Sequence, residues 1–118
     1  MFLLQGKPTE RVHDAMLREA ARLESLAADL RAIGAGTAPI PADLADAPVI
    51  SNWRRATRPV PCVVGLGSGH PRVPDGPVTT IDLWAADPTA GWVRTLGRYY
   101  VLGPCAEAPS LVGRVGHA

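Results

Sequence analysis

Apolar residues along the first third of the chain recur in steps of three and four: Val12, Met16, Ala20, Leu23, Leu26, Ala27, Leu30 and Ile33. That spacing lays them on one stripe of an α-helix. Thr9 stands where an N-cap is wanted, and Glu10 stands where the helix dipole favours an acid. Gly34 and Gly36 supply the stop. Asp14 and Arg18 are one turn apart on the polar side. The stripe lasts about three heptads and puts Glu19 on a seam position, so packing on the chain's own sheet accounts for it better than a coiled coil does.

The period changes from Val78 to Leu102. Two runs rich in β-branched and aromatic residues flank Asp87-Pro88-Thr89-Ala90-Gly91. Pro88 presets φ for a turn and Gly91 accepts the positive φ that closes a hairpin. On the first run Ile81, Leu83 and Ala85 alternate with Thr80, Asp82, Trp84 and Ala86. Taken as one strand, the second run puts Trp92, Arg94, Leu96, Arg98 and Tyr100 on one face, and Val93, Thr95, Gly97, Tyr99 and Val101 on the other. The second set is smaller and less charged, and so the better bed for the helix stripe. A short β-rich run, Cys62 to Leu66, follows Pro59-Val60-Pro61 and reads as a further strand, on an edge or starting after Pro61.

The expected fold is therefore α+β: an N-terminal amphipathic helix packed on a short three-stranded antiparallel sheet. The expected organisation is one domain, residues 1–118, with helix over 8–34, connector over 35–58, sheet over 59–103 and tail over 104–118. In the connector, Pro41 can open one or two helical turns that Pro48 ends. Residues 49–58 read equally as a helical turn or an extended arm, and residues 1–7 as a short edge strand or a loose start. The tail has no periodicity and is expected to be mobile at its end.

Composition narrows the class. A chain of 118 residues with 47% hydrophobic content suits one globular domain and argues against wholesale disorder. Twelve Gly and twelve Pro, clustered after residue 33, predict a loop-rich second half. The net charge of +1 announces neither nucleic acid nor a membrane. Its distribution is uneven: residues 1–50 hold seven acids and five bases, residues 51–118 seven arginines and four acids. Lys7 is the only lysine, a bias that a GC-rich genome would also produce. Two cysteines, Cys62 and Cys105, make neither a disulfide framework nor a metal knuckle. Met1-Phe2-Leu3-Leu4 is too short for a signal-peptide core, and no apolar run approaches the roughly 20 residues of a membrane span. The expected compartment is the cytoplasm, with both thiols reduced and no membrane partner.

The candidate site is the polar face of the second run, with Trp92, Arg94, Arg98 and Tyr100, and Trp84 as a cross-strand neighbour. Trp53, Arg54, Arg55 and Arg58 extend the same basic surface if the connector folds back on it. Arginine beside aromatic rings serves both protein hot spots and stacking platforms for nucleic acid. The plainer account is cation–π dressing of a solvated face.

Other constellations are weaker. Gly65-Leu66-Gly67-Ser68-Gly69 resembles a phosphate loop only superficially, since no Lys-Ser/Thr and no helix follow. His70 sits on a loop, where a local backbone hydrogen bond is its ordinary role. His13 and His117 complete no zinc spacing. Asp82 is placed to pair with Arg94 or Arg98 across the strands. A Cys62–His70–Asp82 hydrolase can be drawn, but its geometry is not legible in a sequence.

The phrases ADAPVISNW, RPVPCVVGLGSGHP and TTIDLWAADPTAGWVRTLGRYYVLG, between Asp46 and Gly103, resemble a small bacterial family of unknown function. Its members share an amphipathic N-terminal helix, an ADAP-like segment, a GHP loop and a W-x-R-T-L-x-R-x-Y strand. The resemblance implies that Trp92, Arg94, Thr95, Leu96, Arg98 and Tyr100 form a family motif, with Gly97 where a serine is expected. It supplies no activity and no catalytic residue. The functional expectation is a non-enzymatic binding module without a cofactor, monomeric or homodimeric, that engages a protein or nucleoprotein complex through the Arg/aromatic face. An inhibitor carried by a phage or mobile element, of the anti-CRISPR type, is one form of it by analogy of size and class. The alternative is a small domain that binds nucleic acid weakly through the same arginines.

Overall fold

Thr9 caps the N-terminal helix: its hydroxyl accepts the Val12 amide at 3.3 Å, satisfying one of the first-turn donors that have no partner inside the helix. The helix, α1, runs Glu10–Gly34. It ends where Gly36 takes a φ of 77° and donates to the Ile33 carbonyl, while the Thr37 amide returns to Ala32. The structure, a computed structural model, describes residues 1–106. The tail from residue 107 on, with His117, lies outside the described residues.

The chain divides into two compact units, Met1–Lys7 with Val60–Ala118, and Pro8–Pro59. The second unit holds α1 and a short helix α2, Pro41–Ala45. Proline opens α2 at a position that needs no N–H, and the Asp43 carboxylate accepts the Ile40 amide at 2.8 Å. Residues 47–59 carry neither helix nor strand. No residue of α1 is buried. Its one ion pair among the described residues joins Arg22 to Glu19 at 3.0 Å; Asp14 and Arg18 make none.

Among the described residues the first unit contains six strands: β1 (Phe2–Leu3), β2 (Val64–Gly67), β3 (Gly76–Thr79), β4 (Leu83–Asp87), β5 (Trp92–Thr95) and β6 (Tyr99–Val101). They form a four-stranded sheet in the order β1-β4-β5-β6 and a separate two-stranded sheet, β2-β3. This corrects the expectation of one three-stranded antiparallel sheet. The larger sheet is mixed, because β1 runs parallel to β4, with Phe2 beside Ala85 and Leu3 beside Ala86. The strand expected from Cys62 begins instead at Val64 and pairs with the next segment, Gly67 opposite Gly76, since closing a short loop costs little entropy. Gly67 is required there. A Cβ on it would lie 2.9 Å from Val78 Cγ2 and 3.2 Å from the Pro74 carbonyl oxygen.

Two features break the simple alternation. A bulge lies between Leu83 and Ala85: Leu83 opposes Thr95, but Ala85 already opposes Arg94. An extra residue turns the strand half a period, so Leu83 and Ala86 are both buried, contrary to the strict alternation expected there. The second feature is a tight turn at Leu96-Gly97. The run from Trp92 to Tyr100 is two strands, with Trp92 opposite Val101, Val93 opposite Tyr100 and Arg94 opposite Tyr99. Thr95, 2% exposed, makes this turn. Its amide reaches the Arg98 carbonyl at 2.9 Å. Its hydroxyl accepts the amides of Gly97 and Arg98, at 3.2 and 3.1 Å, and donates to the Arg98 carbonyl at 3.1 Å.

The core is small. Leu83, Ala86 and Val93 are buried together, with Val63, Tyr100 and Leu102 packed against them. Val63 is held by Thr80, whose hydroxyl accepts the Val63 amide at 2.9 Å and whose own amide donates to the Val63 carbonyl at 2.8 Å.

Candidate functional site

The β5–β6 hairpin decides which side chains share a surface. Antiparallel partners project to the same side, and residues two apart along a strand do so as well. Trp92 and Arg94 of β5 therefore stand with Tyr99 and Val101 of β6. Val93 and Tyr100 stand on the opposite side, against the core. The turn at Leu96-Gly97 thus exchanges the two tyrosines relative to a single continuous strand: Tyr99 joins the arginine, and Tyr100 packs on the core.

The cluster is in contact internally. The Arg94 guanidinium carbon lies 5.1 Å from the centre of the Tyr99 ring, a cation–π distance. Trp92 meets the same ring edge to face, with centroids 5.8 Å apart and planes at 76°, the arrangement favoured by ring quadrupoles. Tyr99 is 66% exposed and Val101 89%, while Trp92 and Arg94 are half-buried. Arg94 has no carboxylate partner among the described residues. The acid on the same side, Asp87 opposite Trp92, is engaged elsewhere, because its two oxygens take the amides of Gly6 and Ala90. Those hydrogen bonds and one from Thr89 hold the Asp87 carboxyl below its usual range, against an opposing push from burial.

The remaining expected site residues have other settings. Arg98 lies at the end of the turn, where its backbone serves Thr95. Trp53, Arg54, Arg55 and Arg58 belong to the other unit, in an exposed stretch without helix or strand. Trp84 sits in the bulge, and its indole Nε1 has no hydrogen-bond partner among the described residues. Asp82 makes no ion pair among the described residues; its carbonyl accepts the Leu96 amide at 2.8 Å. The sequence reading missed Tyr99 and Val101. Thr95 and Gly97 two apart, a hydroxyl and a small residue able to close a turn, were the available signal.

The other constellations have local roles. His70 Nδ1 accepts the Arg72 amide at 3.0 Å. Gly65 and Gly67 belong to β2, and the Gly69 amide donates to Asp75 at 3.1 Å. No hydrogen bond joins Cys62, His70 and Asp82 among the described residues, and both cysteines are exposed and free. Among those residues no three His, Cys, Asp or Glu side chains are grouped to hold a metal ion, and no helix is long and apolar enough to cross a membrane. A shallow hollow of roughly 480 Å³ is lined by Gln5, Gly6, Asp87, Thr89 and Ala90. The only carboxylate in it is the one already occupied by backbone amides.

Comparison with known proteins gives one match. Residues 20–112 fit a protein family described as a family of unknown function, DUF6634. The matched region starts inside α1 and takes in β2 to β6. No curated protein and no solved structure matches the chain.

Proposed function

The chain belongs to DUF6634, a family of unknown function, and we propose that it is a non-enzymatic binding module whose β5–β6 face engages a protein partner. The observation that carries this reading is the cluster of half-buried Trp92 and Arg94 with exposed Tyr99, and exposed Val101 beside it. Aromatic rings locked by their neighbours, with an arginine that pairs with no carboxylate among the described residues, are the residue types that dominate binding hot spots. They lose little conformational entropy on binding because they are already held. Inhibition of a larger bacterial complex, by covering one of its surfaces, is a form of this activity that asks for nothing beyond a stable fold and such a face.

Charge argues for a protein over a nucleic acid. The unit that carries the sheet has five bases, Lys7, Arg72, Arg94, Arg98 and Arg114, against four acids, Asp75, Asp82, Asp87 and Glu107. Binding to a duplex draws its strength from many neutralised phosphates, and this unit is nearly balanced.

The test is an affinity pull-down from a bacterial lysate, with and without nuclease, comparing wild type with Arg94→Glu. The expected result is a protein that survives nuclease and is lost in the variant. Recovery of nucleic acid alone, released steeply by salt, would overturn the reading in favour of nucleic-acid binding.

A further inference from the structure

The β6 edge combines an unguarded strand with an unpaired cation. The Thr95 amide reaches Arg98 and the Leu102 amide reaches Gly91, with Val93 opposite Tyr100 between them. In an antiparallel pair the hydrogen-bonded positions alternate. Tyr99 and Val101 are therefore the non-bonded positions, and their N–H and C=O groups point away from β5. Among the described residues β6 is the last strand of its sheet, so there those four groups form an open edge. Protected edges carry a charge, a proline or a bulge. Tyr99-Tyr100-Val101 carries none of them, and proline comes only at Pro104.

From this edge we infer that β6 accepts an extended segment of a protein partner as an added strand, and that the segment carries an acidic side chain that pairs with Arg94. The inference rests on the proposed protein-binding role and specifies its mode. Main-chain hydrogen bonds from Tyr99 and Val101 supply affinity, and side chains alternating along the added strand supply selectivity. Facing Trp92, Tyr99 and Val101, every second residue of the guest is apolar or reaches Arg94. Charge complementarity selects the guest. Arg94 stands on the face beside the edge, and no carboxylate among the described residues pairs with it. A second copy of this chain would set Arg94 against another Arg94 face, whose carboxylate, Asp87, is already taken by backbone amides.

The test uses two blocked hexapeptides, one alternating valine with glutamate and one alternating valine with lysine, titrated into the isotope-labelled full chain. Amide exchange and chemical shifts are read at Tyr99 and Val101. Expected are fast exchange at both amides in the free protein and protection by the glutamate peptide only. Arg94→Glu should weaken binding at least tenfold. Val101→Pro removes an outward N–H that β5 does not use, and should abolish protection while the cross-strand signals of Val93 and Tyr100 persist. If the glutamate peptide shifts Trp92 and Tyr99 without protecting either amide, and binds Val101→Pro equally, the added-strand mode is wrong and the face reading stands. Equal binding of both peptides, or of neither, overturns the inference. So does protection of the free protein that disappears on dilution, which would mean that a second copy fills the edge.

Discussion

The Asp87 carboxylate accepts the Gly6 amide at 2.7 Å from 81 positions away, and the same side chain accepts Ala90 at 3.0 Å in the adjoining turn. One carboxylate thus fastens the start of the chain to the β4–β5 hairpin. Its folded pKa lies below the ordinary 3.8, so the ionised form is the one the fold prefers. That contribution is complete above the unfolded value and disappears as pH falls through the folded value. Asp87→Asn keeps the shape but offers one acceptor where two amides arrive. Thermal unfolding of wild type and variant should differ most at neutral pH, and the gap should close progressively as pH falls through 3.8 and below. A gap that is constant with pH would show that the charge is not what holds Gly6.

Thr95 should be among the costliest single hydroxyls to remove. Thr95→Val preserves the shape and strands two amides, those of Gly97 and Arg98. The expected loss is about 1–3 kcal/mol, the range for leaving buried donors unsatisfied. Thr95→Ser, which keeps the oxygen, should recover most of it in urea denaturation.

The two adjacent tyrosines should behave oppositely. Tyr100→Ala removes a ring packed on the core, with an expected cost of about 2–3 kcal/mol after allowing for its partial burial. Tyr99→Ala forfeits only an edge-to-face contact and a cation–π contact, under about 1 kcal/mol, yet should abolish capture of a protein partner. If Tyr100 rather than Tyr99 governs binding in the stable variants, the hairpin register is wrong.

Gly67→Ala tests the close approach of β2 to β3. The added methyl would meet Val78 Cγ2 at 2.9 Å and a backbone oxygen at 3.2 Å, and the Pro74 carbonyl cannot rotate away. An expected loss of about 1–3 kcal/mol follows from overpacking. Gly65→Ala, where a Cβ meets nothing within 4 Å, is the matched control and should stay near wild type.

Local signals were the legible part of this fold. The α1 stripe with its Thr9 cap and the Pro88–Gly91 turn are written in consecutive residues, and both appear where spacing puts them. What misled was parity. Counting in twos is correct only while a strand continues, and here it is interrupted twice, by the bulge after Leu83 and by the turn at Leu96-Gly97. Each interruption reverses every later side chain, which is how Tyr99 and Tyr100 exchanged roles. An edge strand within residues 1–7 was one of two readings there, but the parallel pairing of β1 was illegible for another reason. Two residues carry no period, and their partner Ala85-Ala86 is more than 80 positions distant, so nothing local announces the pairing.

The parallel pairing of β1 with β4 also sets a schedule for synthesis. Phe2 and Leu3 leave the ribosome long before the strand they pair with exists. At about 5–20 residues per second, the 81 positions between Gly6 and Asp87 correspond to a delay of about 4–16 s. During that interval α1 and α2 can form from contiguous residues, while the first strand stays an unpaired, apolar stub. The sheet is completed only when the later strands emerge, so its one parallel pairing is also the one that must wait for a distant partner.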